Sequence, residues 1–367
     1  MPKKIVIIGA GPIGSYTAQL LKLGGYKPLI IEEHAQVGRP LHCTGLVGSR
    51  VFADQKVFGF SSSAIVNTIN GAVIHYDHHS FAIERKKVAY VLDRERFDKN
   101  LSKGLDILYS NRFLGLEKTR AGYIIETDMR DLFADIVIGA DGAASVMRKI
   151  LNLNSNHIYQ YKGMQLRIKA KPCHKDMVEV YMKKPFFFWV VPEGDGVVRV
   201  GTISDSPYQD LQSFLKDTKI KGKILERFGG LVSLGICPHT VRDNLALVGD
   251  AACQLKPLTY GGIYFGLKSA AILASSIKEN RLKDYDALWK KELANEIKVG
   301  LRARAIYGRL TSKDLKQIFL LLKSHKDFIE QAGDFEQHGR LILGLISKPA
   351  FYAQVGGLLR LFFKNLI

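Results

Sequence analysis

Apolar and polar positions fall into three regimes along the chain. Near the start, Ile5 to Ile8 are consecutively apolar, as in a parallel strand buried on both faces. From about Ile13 to Leu23 the apolar positions take helical spacing, and Gly24-Gly25 ends the helix. Leu29 to Ile31 give a second short buried strand, and similar runs recur at Ile136–Ile138 and Leu245–Val248. Between them, "NTINGAVIHYDHHSFAIER" and "MQLRIKAKP…MVEVYM" alternate, which predicts a mainly antiparallel sheet. "PFFFWVVP" breaks the alternation with consecutive aromatics, and Gly194-Asp195-Gly196 reads as a hairpin turn. From about residue 281 the pattern turns helical, beginning with "YDALWKKELANEIKVGLRARAIYGRL". Neither internal repeats nor a low-complexity linker interrupt this order.

The joints between these elements carry the first chemistry. Gly9, Gly11 and Gly14 are spaced GxGxxG between the first strand and its helix. The first permits a tight turn, the second lets the backbone approach a pyrophosphate, and the third lets helix and strand pack closely. The helix N-terminus offers free amides to phosphate. Glu32 ends the second strand, where an acid accepts ribose hydroxyls and repels a 2′-phosphate; Glu33 is the alternative. The segment predicts a dinucleotide and does not separate FAD from NAD. Two more strands end in turn residues, Gly139-Ala140-Asp141-Gly142 and Gly249-Asp250, and a helix rich in small residues starts near Gly261.

Composition narrows the picture in a few respects. The 367 residues are 47% hydrophobic and 24% charged, consistent with an ordered globular protein of two or three domains. Cys43, Cys173, Cys237 and Cys253 are scattered without a CxxC pair, so no metal is expected and free thiols in a reducing cytosol are. His75, His78 and His79 beside Asp77 read as a solvated turn rather than a metal site. No signal peptide or transmembrane helix is expected, which predicts a cytoplasmic protein. The formal net charge of +18 is spread along the chain without a clustered stripe, so no nucleic acid is expected. An anionic membrane surface and general surface charge both remain. The apolar tail, broken by Lys348, Arg360 and Lys364, fits a helix lying at the inner face of the membrane and fits equally a helix packed on the protein.

The later stretches resemble the flavoprotein hydroxylase superfamily, whose fold is that of p-hydroxybenzoate hydroxylase. Carried over by position, the resemblance implies FAD, with Gly249 and Asp250 at the ribityl chain. Pro257, Gly261, Gly262 and Ile263 open the helix that faces the pyrimidine end of the flavin. Asp141 belongs to the matching cofactor turn, and Arg94 in "LDRERFDKNL" matches an arginine near the FAD phosphates. Tyr260 stands where glycine is usual, which puts the standard turn in question. "GRPLHCTGLVG" resembles the geranylgeranyl reductase family, particularly its archaeal members acting on digeranylgeranylglycerophospholipids. Its Pro-x-x-Cys-x-Gly pattern is matched by Pro40, Cys43 and Gly45. The family's P-x-x-Y-x-W-x-F-P stretch is matched at Trp189 and Pro192, with Phe187 for tyrosine, Val191 for phenylalanine and the leading proline shifted to Pro185. The expected architecture is thus α/β. A Rossmann-like FAD-binding domain is assembled from about 1–55, 85–155 and 240–280. A mainly antiparallel substrate domain takes 56–84 and 156–239, and a helical region takes 281–367.

The resemblance implies saturation of isolated double bonds in geranylgeranyl chains, by hydride from N5 of reduced FAD plus a proton. Cys43 is the candidate for proton delivery or alkene placement, with packing as the plain alternative, and His42 is expected to be structural or solvent-facing. Phe187, Trp189 and Tyr260 are candidates for the substrate channel, while Phe186 and Phe188 are expected to pack. NADPH, a reduced deazaflavin or a ferredoxin would supply electrons. Two other readings compete. One is a monooxygenase or halogenase-like enzyme on a small aromatic substrate. The other is a flavin-bound protein without turnover, which Tyr260 invites.

Overall fold

The structure, a computed structural model, describes residues 3–53, 62–152, 158–184 and 186–348. Pro185 and the apolar tail from residue 349 lie outside the described residues. Strand Ile5–Ile8 stands at the centre of a six-stranded sheet. Parallel strands Ile136–Gly139 and Leu29–Ile31 flank it, so that Ile7 lies opposite both Ile138 and Ile30. Strands Asp106–Leu108 and Leu245–Leu247 extend the sheet in parallel, and Val241–Arg242 closes one edge antiparallel.

Both faces of this sheet are covered, which is why its strands are apolar without alternation. Ile5 and Ile7 face helices Pro12–Leu23 and Ile263–Lys278, in one core with Tyr16, Leu21, Phe265 and Leu273. Val6 and Ile8 face a three-stranded meander, Phe113–Lys118, Tyr123–Thr127 and Leu132–Ala134, in a core with Phe113, Tyr123 and Ile125. The two helices cross closely: a Cβ on Gly266 would lie 2.6 Å from Ile13 Cδ1.

The second sheet has eight strands, ordered Lys223–Leu234, Tyr159–Lys169, Val197–Ser204, Phe187–Gly194, Val178–Met182, Ile65–Tyr76, His79–Leu92 and Leu46–Gly48. All pairings are antiparallel except Val178–Met182 with Ile65–Tyr76. The hairpin turn at Gly194-Asp195-Gly196 has positive φ at all three residues. Within Phe187–Gly194 the faces separate. Phe188 stacks on Phe214 at 4.4 Å in the core beneath helix Pro207–Thr218, while Phe187 and Trp189 take the other face.

Two details differ from the sequence reading. Residues 46–48 and 85–92 pair in the larger sheet rather than in the smaller one, because the strand from His79 continues unbroken to Leu92. His75 is not in the solvated turn: its ring stacks on Tyr181 at 4.2 Å and Nε2 lies 3.2 Å from Glu179. No group of three metal-capable side chains occurs among the described residues.

Helices Tyr285–Arg309, Ser312–Ser324, Lys326–Ala332 and His338–Ile346 complete the described chain. The first is anchored by Trp289, fully buried, whose indole donates to Thr240 Oγ1 at 2.8 Å. No helix among the described residues is long and apolar enough to cross a membrane.

Candidate active site

The glycine turn after the first strand has its three residues in three different situations. Gly9 has φ +101°, and a Cβ there would lie 2.6 Å from the Ala140 carbonyl oxygen. A Cβ on Gly14 would lie 2.0 Å from Gly9 O, so close packing of helix on strand excludes it. Gly11 instead faces open space: a Cβ there would meet nothing within 4 Å. That leaves its backbone approachable beside the uncapped start of helix Pro12–Leu23, which fits a pyrophosphate. Glu32, buried at the end of its strand, turns to the same loop. It accepts Ala10 N–H at 2.7 Å and His34 N–H at 3.0 Å, with His34 Nδ1 at 2.6 Å. Glu33 is exposed. A carboxylate has about four acceptor positions, so Glu32 retains capacity for a ribose hydroxyl.

The second turn brings Gly249, Asp250 and the helix start at Gly261-Gly262-Ile263 together. A Cβ on Gly262 would lie 2.4 Å from Asp250 Oδ1, so the carboxylate is seated on that glycine. Burial raises the Asp250 carboxyl, against the pull of Arg94 and Arg148. Gly262 places no side-chain cap on helix Ile263–Lys278. Asp141 braces its own turn: it accepts Ser145 Oγ–H at 2.7 Å and Met147 N–H at 3.0 Å. Arg148 is buried and ties the two turns together, donating to Ala143 O at 2.7 Å and Ala251 O at 2.8 Å.

The segment containing Cys43 lies against the start of helix Arg94–Ser102 and the larger sheet. Cys43 is half-buried, and its sulfur accepts Gly45 N–H at 3.3 Å. The Arg94 guanidinium is the second neighbour. Burial would lower it, but Asp98 and the Cys43 sulfur raise it, with Asp98 bound in two-pronged fashion at 2.9 and 3.1 Å. Arg94 therefore opens its helix as expected, but its charge is directed at Asp98 and Cys43. Gly45 has φ +73°, and a Cβ would lie 2.6 Å from Leu92 O and 2.9 Å from Arg199 Nη1. Pro40 faces outward, into an open cleft of about 500 Å³ shared with His34, Arg39, His42 and Glu226. That cleft includes neither Cys43 nor the aromatic candidates. His42 Nδ1 lies 2.6 Å from Gly229 O, a structural tie to the larger sheet.

A chain of contacts joins Cys43 to the aromatic face. Thr44 Oγ1 donates to Gln165 Oε1, which also receives Trp189 Nε1–H at 3.3 Å. Trp189 and Phe187 rings are 5.7 Å apart, and Phe187 stacks on Tyr260 at 6.0 Å and 14°. The structure thus links the Cys43 segment, through Thr44 and Gln165, to Trp189, Phe187 and Tyr260. Tyr260 takes φ +60°, the left-handed conformation that glycine adopts at no cost. Its hydroxyl accepts from Arg304.

Several residues here escape a reading by motif. Arg199 donates to the Thr44 carbonyl and to Leu92 O at 3.0 Å, and Glu193 holds it at 2.9 Å. Burial would raise the Glu193 carboxyl, but Arg167 and Arg199 hold it below the ordinary range. A lone arginine in the wholly buried strand Val197–Ser204 was the available signal. Lys256 and Glu336 form a buried ion pair at 2.8 Å, and Glu336 also accepts Gly48 N–H at 2.8 Å. No signal in the sequence marks that link.

No family model matches the chain. An uncharacterized protein of Methanocaldococcus jannaschii is 32% identical, over 93% of this chain and 94% of its own. A digeranylgeranylglycerophospholipid reductase of Methanococcoides burtonii is 29% identical, over 87% of each chain. That of Methanococcus vannielii is also 29% identical, over 86% of this chain and 89% of its own. Among solved structures, a geranylgeranyl bacteriochlorophyll reductase-like protein from Thermoplasma acidophilum matches with a TM-score of 0.82 and 24% identity, over 97% and 99% of the two chains. The flavin-dependent halogenase CmlS shares the fold with a TM-score of 0.66 and 17% identity, over 84% of this chain and 64% of its own. With its glycine turns, its cysteine segment and its full-length relatives in agreement, the chain belongs to the geranylgeranyl reductase family.

Proposed function

We propose that the chain is an FAD-dependent reductase that saturates isolated double bonds of geranylgeranyl chains in membrane lipid precursors. The observation that carries this reading is the position of the Cys43 sulfur, between the Gly45 amide and the Arg94 guanidinium, at one end of the wall formed by Trp189, Phe187 and Tyr260. Gly11 and Glu32 would hold the adenosine diphosphate portion of FAD, and Asp250 with the Gly262 helix start the ribityl and pyrimidine portions. When bound and reduced, FAD supplies a hydride.

An isolated alkene also needs a proton, and no substituent polarises it. In a trisubstituted isoprene unit, protonation at the less substituted carbon leaves cationic character at the tertiary one. The Cys43 thiol is a weak acid of the right kind. The Gly45 amide and the Arg94 guanidinium orient the sulfur, and solvent returns the proton it gives up. The aromatic wall orients the chain and excludes water. NADPH, a reduced deazaflavin and ferredoxin are all anionic, and a net charge of +18 draws any of them in.

The test is anaerobic. Chemically reduced holoenzyme is mixed with digeranylgeranylglycerophospholipid, and the product is read by mass spectrometry. Gain of hydrogen pairs by the prenyl chains is expected. An unchanged lipid, or product formed only when oxygen is admitted, would sink the reading in favour of a monooxygenase.

A further inference from the structure

Arg304, on helix Tyr285–Arg309, is 9% exposed, and it is set among rings. Its guanidinium carbon lies 4.0 Å from the Phe186 ring centre, 4.3 Å from Tyr161 and 4.8 Å from Tyr260. Nη1 donates to the Tyr260 hydroxyl. Nε and Nη2 are buried without a hydrogen-bond partner, and Arg304 forms no ion pair with a carboxylate among the described residues. The hydroxyl of Tyr307, nearly one turn further on, is buried and unpartnered too.

Ring faces return part of what a guanidinium loses when it leaves water. They do not replace a counter-charge, and an ionised group buried without one is costly. The Tyr260 phenol does not supply that charge, because burial pushes it up to about 12 against the lowering pull of Arg304. The site therefore holds one buried cation and four donor hydrogens, three on Nε and Nη2 of the guanidinium and one on Tyr307, with no anion to receive them. Its position is informative: Tyr260 stacks on Phe187, so Arg304 marks the end of the aromatic wall opposite Cys43. An ester phosphate presents several oxygens to several donors, and the flanking rings suit the first apolar carbons after it.

We propose that Arg304, assisted by Tyr307, receives the phosphoryl group of the prenyl substrate, so that the enzyme selects phosphorylated prenyl lipids over neutral prenyl alcohols. The proposal rests on the prenyl reductase reading for the identity of the apolar part.

Binding without turnover separates the two. Oxidised holoenzyme is titrated with geranylgeranyl phosphate and with geranylgeraniol, following the flavin absorbance. The wild type is expected to bind the phosphate at least about tenfold more tightly, and Arg304→Gln to bring the two within about twofold by weakening the phosphate alone. Equal binding by the wild type, or a preference that survives in Arg304→Gln, overturns the proposal. If Arg304→Gln fails to retain flavin, the wild-type comparison still decides, and Tyr307→Phe is expected to narrow the preference. Inorganic phosphate added to the alcohol titration should leave alcohol binding unchanged. Tightening to the level of the phosphate lipid would reassign the site to a free anion and overturn the proposal. If the preference is found but neither ligand is reduced by the reduced enzyme, the reductase reading fails and the phosphoryl site stands.

Discussion

Cys43 is held by one amide and one cation, and each contact acts on the sulfur differently. The Gly45 N–H fixes where the sulfur points, and the Arg94 guanidinium places a buried cation beside it. Serine at this position keeps the size and loses most of the acidity. Cys43→Ser is expected to slow reoxidation of the reduced flavin by prenyl lipid by at least about tenfold, with flavin content unchanged. An unaltered rate would leave the thiol a packing role only. At Tyr260 a different balance holds, since backbone strain of about 1 kcal/mol is carried by a residue whose ring and hydroxyl are both engaged. Tyr260→Phe keeps the ring and leaves Arg304 Nη1 without its acceptor. Denaturant unfolding should record a loss of about 1–3 kcal/mol.

Among the elements, the start of helix Ile263–Lys278 is tightly constrained, because Asp250 rests directly on Gly262. Gly262→Ala would drive a methyl group into Oδ1 and displace the carboxylate. Flavin should bind at least about tenfold more weakly, while the fold survives, as judged by circular dichroism and flavin titration. Flavin affinity equal to wild type would remove Asp250 from the cofactor site. The sheet strand Val197–Ser204 constrains the cysteine segment in the same way, through Arg199 and the Thr44 carbonyl. The ends of these elements were readable from sequence wherever a turn needs glycine or a strand is buried on both faces, as at Ile5–Ile8 and Gly9. For Arg199 and Glu193 the sequence offered only a lone arginine in an apolar strand, because their partners lie on other strands and loops that no local pattern names.

For the whole molecule, the link that matters most joins residues 288 positions apart, Gly48 and Glu336. Glu336 and Lys256 are 2% and 3% exposed in their side chains, so each is the other's counter-charge. Glu336→Gln should destabilise the protein by about 3–5 kcal/mol in denaturant unfolding, whereas replacing both by methionine should cost much less. Equal losses in the single and double variants would show that packing, not charge, holds this joint. His338, next to the same lysine, is lowered by burial and by Lys256 to about 3. The unfolded chain takes up a proton near pH 6.5 and the folded chain does not until about 3, so stability falls as the pH falls through that interval. His338→Gln should flatten the fall in thermal midpoint between those limits. The glycine turns, the cysteine segment and one side of the aromatic face each carry a local pattern that the sequence shows directly. The cage around Arg304 carries none, because Tyr161, Phe186, Tyr260 and Arg304 come from four distant segments, and only the folded chain assembles them.

The tyrosine in a glycine's backbone conformation also limits how this sequence can drift. Reverting residue 260 to glycine relieves the turn but strands a buried guanidinium. Losing Arg304 first leaves a strained tyrosine whose hydroxyl has lost its donor. Either single step is penalised, so the two positions should change together among descendants of this chain. A lineage carrying arginine at 304 with glycine at 260 should show a compensating acceptor nearby.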